Sequence, residues 1–435
     1  MKQSKYNTIV SLGKQQVLYN TITNKFVVLS DAIKEALKCE TVSPLSLKLE
    51  SNNYLVKDDV DEKQMIESLF VQRRFSSKVY QLTLNTSLDC NLCCWYCYET
   101  HAKKTNMSLE LVKNILLHLE IKSQADPFKI LELSFFGGEP LLNYKAIKAL
   151  LEGVKMLSER FDFDIHLTFV TNGTLINQKY VELLKEFKVR FQITIDGNKD
   201  THNNTRKYKS KLLGTDSYGR IMDNLKLLNE QEAEFYFIVR VNYETDTLKS
   251  ISKLMADLAF LDKRRTALSL HRVWQHKATE EDSALLIDAI NYINSMGFVV
   301  STFPLATNLE NCYADNYNQA IINYDGNVYK CTARDFSSEQ PSGKLNSLGL
   351  IEWNAPLLLD RLALDIPQKC KDCLLLPSCT GICSQKKVEA KDNEQIPCPF
   401  EDLISKEDVI LLNIKQQLVI KKYEKENSDY AHVAS

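Results

Sequence analysis

Apolar and polar positions alternate with two different periods between residues 78 and 303. Short apolar runs with a period of two, typical of strands, precede longer stretches with apolar residues three or four positions apart, typical of amphipathic helices. The predicted strands are Val79–Thr86, Ile130–Phe136, Ile165–Val170, Val189–Ile195, Phe235–Val241 and Ala267–Val273. The predicted helices are Leu109–Lys122, Tyr144–Arg160, Asn177–Phe187, Gly219–Glu232, Leu248–Leu261 and Glu280–Met296. Strand–helix repeats of this kind predict an α/β fold with parallel strands, and six units predict a partial (β/α)6 barrel.

The segments on either side of the barrel have other patterns. The first segment predicts strands at Asn7–Ser11, Gln16–Asn20, Lys25–Val28 and Tyr54–Lys57, and helices at Ser30–Lys38, at Pro44–Glu50 and from Asp61. Residues 401–435 predict a C-terminal helix and a tail.

Composition and charge narrow the function classes. The chain has 435 residues, enough for two or three domains, with 44% hydrophobic residues and a net charge of −2. This charge gives no electrostatic reason to expect nucleic acid or an anionic membrane as partner. Neither a membrane-spanning stretch nor a signal-peptide pattern is visible. Twelve cysteines in such a chain indicate metal or redox chemistry in a reducing cytoplasm rather than a disulfide scaffold.

Three cysteines stand close together directly after the first barrel strand. Cys90, Cys94 and Cys97 form a C-x-x-x-C-x-x-C run. Iron–sulfur clusters are normally held by four cysteines, so three thiolates on one loop predict a [4Fe–4S] cluster with one iron left for chemistry. A zinc site is the alternative, but zinc sites usually use paired C-x-x-C units.

Polar and glycine-rich residues end three further strands. Gly137, Gly138 and Glu139 follow the second strand, Asn172 follows the third, and Asp196 follows the fourth. The C-terminal ends of the strands are where β/α barrels build their active sites. We therefore expect these residues to lie near the cysteine loop.

The cysteine loop, Tyr96 before its third cysteine and the GGEP tetrad together resemble radical S-adenosylmethionine (SAM) enzymes. The resemblance implies that Cys90, Cys94 and Cys97 are catalytic ligands of a cluster whose free iron binds SAM, which is cleaved to a 5′-deoxyadenosyl radical. Arg240 in the fifth strand is expected to pair with a carboxylate, either of the cofactor or in a structural ion pair. The predicted SAM-binding residues are Tyr96 (adenine stacking), Gly137 and Gly138 (close backbone approach), Glu139 (ammonium), Asn172, Thr194, Asp196 and Arg240.

Seven further cysteines lie in residues 304–400. By spacing alone they could hold zinc. The pattern resembles a SPASM domain, which carries two auxiliary [4Fe–4S] clusters, so the chain as a whole is expected to hold three clusters. The resemblance assigns Cys370, Cys373, Cys379 and Cys398 to auxiliary cluster II, and Cys312, Cys331 and Cys383 to auxiliary cluster I.

Auxiliary cluster I, assigned to Cys312, Cys331 and Cys383, has three ligands for four irons. Relatives with a complete set have one more cysteine shortly before the position of Cys312, whereas here only Cys39 and Cys93 remain unassigned. We therefore predict an open iron that a substrate thiolate could bind, since thiolate is the preferred ligand. Water or a side chain such as Asp315 is the alternative.

The predicted organisation has four parts. Residues 1–75 resemble winged-helix modules that capture the leader of a precursor peptide by strand addition, with a structural cap on the barrel as the alternative. Residues 78–303 form the radical SAM barrel, residues 304–400 the SPASM domain, and residues 401–435 the C-terminal helix and tail. His202 and Arg206 form an H-x-x-x-R stretch like that of peptide-maturing relatives, with either a structural or gating role or a place in a solvated loop.

These expectations converge on a cytoplasmic peptide maturase that crosslinks a ribosomally made precursor peptide carrying a leader. A cysteine thioether is favoured over a carbon–carbon crosslink. The alternatives are a sulfatase-maturating, formylglycine-forming enzyme and a non-catalytic zinc-binding protein. The resemblance also implies a reductant such as flavodoxin or ferredoxin as partner.

Overall fold

The computed structural model describes residues 1–38, 42–301, 312–363, 365–379, 381–390, 395–398 and 403–426. Cys39, the boundaries predicted at residues 303/304 and 400/401, and the end of the predicted C-terminal tail lie outside these residues.

All six predicted barrel strands form, and they pair in parallel. The mixed α/β fold class is confirmed. The elements of this part are β6 (Val79–Ser87), β7 (Leu92–Cys94), α4 (Leu109–Ala125), β8 (Ile130–Gly137), α5 (Tyr144–Phe161), β9 (Asp164–Thr171), α6 (Gln178–Leu184), β10 (Lys188–Thr194), α7 (Lys199–Thr205), β11 (Arg206–Tyr208), α8 (Ser217–Asn229), β12 (Phe235–Tyr243), α9 (Thr245–Lys249), α10 (Ile251–Asp257), β13 (Thr266–Arg272), α11 (Glu280–Ser295) and β14 (Val299–Val300). The sheet order is β14-β13-β12-β10-β9-β8-β6, continued beyond β6 by strands of the C-terminal part.

The alternation along the strands decides what faces the barrel interior. Thr83, Ser134, Thr168 and Arg190 are register partners on successive strands, and all four line one internal cavity. Their sequence neighbours, such as Phe135, are fully buried in the apolar layer shared with the helices. A polar interior inside an apolar outer layer therefore follows directly from the period of two.

The helix predicted at Leu248–Leu261 is wrong as one element, because it is divided into α9 and α10. The break falls at Ser250, whose hydroxyl donates to the Thr247 carbonyl at 2.9 Å and accepts from the Asn198 N–H at 3.3 Å. A serine whose hydroxyl bonds to nearby backbone competes with the regular helix.

The C-terminal part continues the barrel sheet, which the sequence pattern did not predict. Its elements are β15 (Gln319–Ile322), β16 (Asn327–Tyr329), β17 (Gly343–Leu345), β18 (Ile351–Trp353), α12 (Ala355–Leu362), α13 (Gln368–Lys371), α14 (Leu376–Cys379), α15 (Ser384–Glu389) and α16 (Lys406–Glu426). Strand β15 pairs in parallel with β6, and β15 to β18 form an antiparallel meander. The edge of β6 is thereby covered by the cysteine-rich part.

The N-terminal part forms its own small sheet. Its elements are β1 (Lys2–Gln3), β2 (Asn7–Leu12), β3 (Gln15–Asn20), β4 (Lys25–Val28), α1 (Asp31–Leu37), α2 (Pro44–Glu50), β5 (Leu55–Val56) and α3 (Glu62–Arg74). Ser30 is the predicted N-cap of α1 and accepts from the Ile33 N–H. The part docks on α14, where Thr21 donates to the Leu374 carbonyl at 2.6 Å and Ser378 to the Thr21 carbonyl at 2.9 Å. Among the described residues, no helix combines the length and the apolar character needed to cross a bilayer.

Candidate active site at the cysteine loop

The loop that carries the first three cysteines is held by a short two-stranded ribbon. Strand β7 pairs antiparallel with β11, and this places Arg206 opposite Cys94. Cys90 is buried, Cys94 is partly buried and Cys97 is exposed. Burial raises the pKa of the Cys90 thiol to about 12 and that of Cys94 to about 11, and thiol–thiol electrostatic interactions connect Cys94 with both other cysteines. The three thiols thus lie near one another, and a bound metal would have to displace their protons.

Gly137 and Gly138 leave no room for a Cβ, while their predicted approach to SAM stays a prediction. A Cβ at Gly137 would lie 2.3 Å from the Ser87 carbonyl oxygen, and one at Gly138 would lie 2.3 Å from the Asp89 carbonyl oxygen. The Gly138 N–H also donates to the Ser87 carbonyl at 3.0 Å. The two glycines therefore let the chain pack directly against the residues that lead into Cys90.

Glu139 lies at the end of β8 and is bonded on both carboxylate oxygens. Its side chain is fully buried, and its oxygens accept from the N–H of Leu141 at 3.0 Å, the hydroxyl of Thr171 at 2.8 Å and the N–H of Asn172 at 2.8 Å. Burial raises the pKa of this carboxyl, and these hydrogen bonds oppose the rise. Glu139 thus joins the ends of β8 and β9, and its contact with the SAM ammonium stays a prediction.

Asn172 contacts the first cysteine directly. Its amide Nδ2 lies 3.7 Å from the Cys90 sulfur and donates to Asn91 Oδ1 at 2.8 Å. The predicted place of Asn172 beside the cluster loop is therefore seen. A contact with SAM remains a prediction for this residue.

A buried polar network centres on the Tyr96 hydroxyl. This hydroxyl donates to Asp196 Oδ2 at 2.5 Å and accepts from Arg206 Nη1 at 2.6 Å and from Asn242 Nδ2 at 3.0 Å. Asp196 is fully buried, and its Oδ1 accepts the Asn242 N–H at 2.9 Å. The network ties the cysteine loop to the ends of β10 and β12. Asp196 accordingly accepts from Tyr96, and Asn242 is a member of the network that no sequence pattern predicts.

His202 and Arg206 do not belong to a solvated loop, because His202 is fully buried and Arg206 is 7% exposed. His202 Nδ1 accepts the Asp196 N–H at 3.1 Å. The structural role predicted for the H-x-x-x-R stretch is the one that the geometry supports: it fixes Asp196 and, through Arg206, Tyr96.

One cavity of about 530 Å³ connects the barrel interior with both cysteine regions. Tyr96 and Cys97 line it on one side. Tyr313 and Thr332, the neighbours of Cys312 and Cys331, line it on the other. A molecule inside would therefore touch residues of both regions.

Thr194 and Arg240 line the same cavity. Arg240 Nε donates to Asn242 Oδ1 at 2.9 Å, and burial lowers the pKa of its guanidinium. The structural ion pair considered for Arg240 is not found among the described residues, although the Asp196 carboxylate raises the pKa of Arg240 against the effect of burial. This placement suits the carboxylate of a bound molecule.

The loops that carry the second cysteine set are bonded to the first. The Tyr98 hydroxyl donates to the Thr332 carbonyl at 2.8 Å, and Thr100 donates to Asp335 Oδ2 at 2.6 Å. Tyr313 and Thr332 share a hydrogen bond of 2.7 Å between their hydroxyls.

Electrostatic interactions connect Cys312 and Cys379 each with other C-terminal cysteines, while the assignment of these cysteines to two clusters stays a prediction. Burial raises the pKa of Cys312 to about 12, and Asp315, Cys331 and Cys383 raise it further. Burial likewise raises the pKa of Cys379 to about 12, with Cys373, Cys398 and Cys370 contributing in the same direction. Within the described ranges, no three His, Cys, Asp or Glu side chains converge closely enough to hold a single metal ion.

The comparison with known families decides the class of the barrel. The Radical SAM superfamily profile matches residues 84–255, which contain the cysteine loop, the GGEP tetrad and the Tyr96 network. Residues 84–255 thus carry the match to the radical SAM superfamily. The resemblance predicted from the cysteine loop is confirmed, and a radical SAM domain implies SAM and a [4Fe–4S] cluster. The donor set of three clustered thiols fits that cluster.

Relatives of this chain are similar to it over part of their length. The cysteine-type anaerobic sulfatase-maturating enzyme of Clostridium novyi (strain NT) is 29% identical over 37% of this chain and 42% of its own. The radical SAM cyclopropyl synthase TigE of Paramaledivibacter caminithermalis is 30% identical over 35% of this chain and 33% of its own. The sporulation killing factor maturation protein SkfB of Bacillus subtilis (strain 168) is 26% identical over 63% of this chain and 62% of its own. The chain thus spans less than half of the first two relatives.

Two solved structures share the fold. Native anSMEcpe with bound AdoMet and the Cp18Cys peptide has a TM-score of 0.56 at 19% identity, covering 82% of this chain and 99% of that one. Streptococcus suis SuiB bound to the precursor peptide SuiA has a TM-score of 0.53 at 15% identity, covering 92% of this chain and 99% of that one. At these identities the likeness concerns the fold alone.

Proposed function

We propose that this chain is a radical SAM peptide maturase that abstracts a hydrogen from a ribosomally made precursor peptide and installs a crosslink, with a cysteine thioether favoured. The observation that carries the proposal is the shared cavity. It is bordered by Cys97 on one side and by the neighbours of Cys312 and Cys331 on the other. A peptide segment inside would meet the radical source and a second cysteine set at once.

The radical chemistry comes from the cofactors. When bound, the cluster on Cys90, Cys94 and Cys97 together with SAM supplies a 5′-deoxyadenosyl radical. The protein's part is positioning. The Tyr96 network fixes the loop, and Arg240 offers its guanidinium to a carboxylate at the cavity wall.

We assign two auxiliary [4Fe–4S] clusters to the C-terminal part, which gives three clusters in all. Cys370, Cys373, Cys379 and Cys398 hold one completely, and Cys312, Cys331 and Cys383 provide three ligands for the other. The grouping of the thiols by electrostatic interaction supports this assignment. The raised pKa values also mean that cluster binding would release protons from these thiols. A substrate thiolate can then serve as the fourth ligand, which is why a thioether is favoured over a carbon–carbon crosslink.

Residues 1–75 are assigned to leader binding. The three-stranded antiparallel sheet of β2, β3 and β4 gives an edge to which an extended peptide can add as a further strand. SuiB is known bound to its precursor peptide. The docking of Thr21 on α14 supports a module that brings the leader close to the cysteine-rich part, and it is equally what a structural cap would show.

The remaining partners follow from the cofactors. Reductive cleavage of SAM needs an electron donor, and flavodoxin or ferredoxin has the required chemistry. We place the reaction in the cytoplasm, with neither nucleic acid nor a membrane as partner.

Co-expression with the small open reading frames beside this gene, followed by tandem mass spectrometry, tests the proposal. We expect one precursor to lose two hydrogens per crosslink, and the modified cysteine to resist alkylation. A peptide that has lost two hydrogens but alkylates at every cysteine would instead identify a carbon–carbon crosslink. Unchanged masses for every neighbouring peptide would count against maturase activity.

Sulfatase maturation is the second candidate, because several curated relatives carry that name. Its product is formylglycine, which forms by loss of sulfur from a cysteine and reacts with aldehyde reagents. Assay of a sulfatase-derived cysteine peptide with this enzyme separates the two functions. The zinc-binding alternative is tested by metal analysis after anaerobic purification, where three clusters require about twelve irons per chain.

A further inference from the structure

The second three-cysteine set contains a buried carboxylate with one unused oxygen. Asp315 is 7% exposed. Its Oδ2 accepts the Ser384 hydroxyl at 2.5 Å, whereas its buried Oδ1 has no hydrogen-bond partner among the described residues. Leaving a buried carboxylate oxygen without a donor is costly, so this atom indicates a positively charged partner in the loaded protein.

The carboxylate is tied to two of the three cysteines through the backbone. Cys312 begins the single 3-10 turn Tyr313–Asp315, and the Asp315 N–H donates to the Cys312 carbonyl at 2.9 Å. Ser384, which holds Oδ2, directly follows Cys383. Asp315 is also the nearby charge that most strongly raises the pKa of Cys312, after burial itself. The free oxygen therefore belongs to the same small region as the thiols.

Three buried cations surround this region. Lys330 is 2% exposed, and Lys387 and Arg361 are each 6% exposed. Their hydrogen bonds run to neutral oxygens, and Arg361 Nη1 is buried without a partner among the described residues. Buried cations require a compensating negative charge. Thiolates around a cluster would add negative charge beside these basic groups.

We propose that Asp315 Oδ1 is the fourth ligand of the cluster held by Cys312, Cys331 and Cys383. The inference rests on the auxiliary cluster of the proposed function. It gives the fourth iron of that cluster a protein ligand, whereas the proposed function leaves this iron open. A carboxylate is a harder ligand than a thiolate, and the iron of an iron–sulfur cluster prefers thiolate. A substrate thiolate can therefore replace Asp315, which would hold the corner only while no substrate thiol is bound.

Iron spectroscopy tests this ligand without reference to activity. The full-length chain with Cys90→Ala, Cys94→Ala and Cys97→Ala serves as background. It lacks the SAM-binding cluster, which also has one iron without a cysteine ligand. In this background, reconstituted with 57Fe, we expect a Mössbauer component of about one iron in eight that differs from the all-thiolate irons. Asp315→Cys should merge this component with the rest while keeping the iron content.

The isosteric Asp315→Asn variant keeps the side-chain shape and an acceptor for Ser384, and it removes the anionic ligand. We expect it to lose about one iron per chain on mild oxidation and to give the EPR signal of a three-iron cluster. Asp325→Asn, at an exposed turn of the same segment, should behave like the background.

The results distinguish a wrong ligand assignment from an absent auxiliary cluster. If Asp315→Asn and Asp315→Cys both keep the distinct component and the oxidation resistance of the background, Asp315 is not the ligand. If Cys312→Ala in the same background loses no iron, the auxiliary cluster itself is absent, and the proposed function fails at that point. Circular dichroism checks the fold of each variant, and the isosteric change keeps the test valid where a larger one unfolds the chain.

Discussion

The two three-cysteine sets of this chain differ in what the protein places beside their thiols. At Cys90, Cys94 and Cys97, the nearest strong charges neutralise one another, because Asp196 and Arg206 meet on the Tyr96 hydroxyl. At Cys312, Cys331 and Cys383, a buried carboxylate keeps one oxygen unpartnered among the described residues. For the second set we propose Asp315 as a ligand, whereas SAM is the ligand expected at the first set.

Glu99 is a buried carboxylate beside the first set. It lies two residues after Cys97, and neither of its side-chain oxygens has a hydrogen-bond partner of ordinary geometry among the described residues. Burial raises the pKa of Glu99 to about 8, against the opposing effect of the Phe336 N–H. Its backbone N–H lowers the pKa of Cys97, while its carboxylate raises that pKa. The comparison teaches that an unpartnered buried carboxylate lies near each set, so a ligand has to be identified by spectroscopy of the loaded protein.

The largest expected effect is on SAM cleavage, which should depend on the first cysteine set and not on the second. Cys94→Ala should reduce 5′-deoxyadenosine formation roughly 1,000-fold or more, since the radical source is lost. Cys312→Ala should retain SAM cleavage within about tenfold and lose the crosslinked peptide. Each variant should also lose about four irons. Chromatography of the nucleoside and mass spectrometry of the peptide measure the two steps.

Cys93→Ala is the matched control, because Cys93 is exposed on the same loop and belongs to neither set. It should leave both steps unchanged. Equal loss of SAM cleavage in the Cys94 and Cys312 variants would remove the distinction between the two sets.

Gly138→Ala should reduce iron binding at the first cysteine set and leave iron binding at the second unchanged. The new Cβ would lie 2.3 Å from the Asp89 carbonyl oxygen and 2.6 Å from that of Leu88, and backbone must move to relieve such contacts. We expect a loss of roughly 3 kcal/mol in the free energy of unfolding and of about four irons. Gly13→Ala, at a positive φ with open space around it, should cost only about 1 kcal/mol and no iron. Denaturant unfolding and iron analysis decide; a variant with full iron content would show that the loop tolerates displacement.

The contrast between local and distant signals explains what the sequence could predict. Strand alternation and cysteine spacing are local, so the six barrel strands and the three cysteine groups follow from them. The pairing of β15 with β6, the clash that requires glycine at Gly138, and the bond between Tyr96 and Arg206 join residues far apart in the chain. Counting ligands likewise indicated a missing fourth one at the second set, but only the packing shows which oxygen of Asp315 is unused.

Arg206 is expected to tune the first set and leave the second unaffected. Arg206→Ala removes a buried cation next to Cys94 and leaves Asp196 without it, which should lower the free energy of unfolding by about 3 kcal/mol. Loss of a nearby positive charge makes reduction harder, so the midpoint potential of the first cluster should fall by on the order of 50–100 mV.

EPR-monitored redox titration measures this shift, and the auxiliary signals of the same sample are the internal reference. Lys207→Ala, at the neighbouring exposed position, should leave the potential in place. An unshifted first cluster in the Arg206 variant would mean that the Tyr96 network only stabilises the fold.

The smallest expected effect concerns the contact that keeps the two sets at a fixed separation. His118 on α4 bonds to the Tyr80 hydroxyl at 2.7 Å through Nε2 and to the Gly349 carbonyl at 3.0 Å through Nδ1, and so joins the barrel to the turn between β17 and β18. Burial lowers the pKa of His118 below its usual 6.5. The unfolded chain therefore takes up a proton below about pH 6.5 that the folded chain resists. Stability from this group is complete above that pH and is lost as the pH falls toward the lowered pKa.

His118→Gln should flatten this dependence. We expect the melting temperature of the unmodified chain to fall more steeply between about pH 7 and pH 5 than that of the variant, by the equivalent of about 1 kcal/mol. Differential scanning calorimetry across this range measures the difference. The unmodified chain and the variant should both keep their cysteine sets loaded, since the hydrogen bonds of His118 run to Tyr80 and Gly349. Parallel melting curves would show that His118 also takes up a proton in the folded state, and that the contact between the two parts is looser than its two hydrogen bonds indicate.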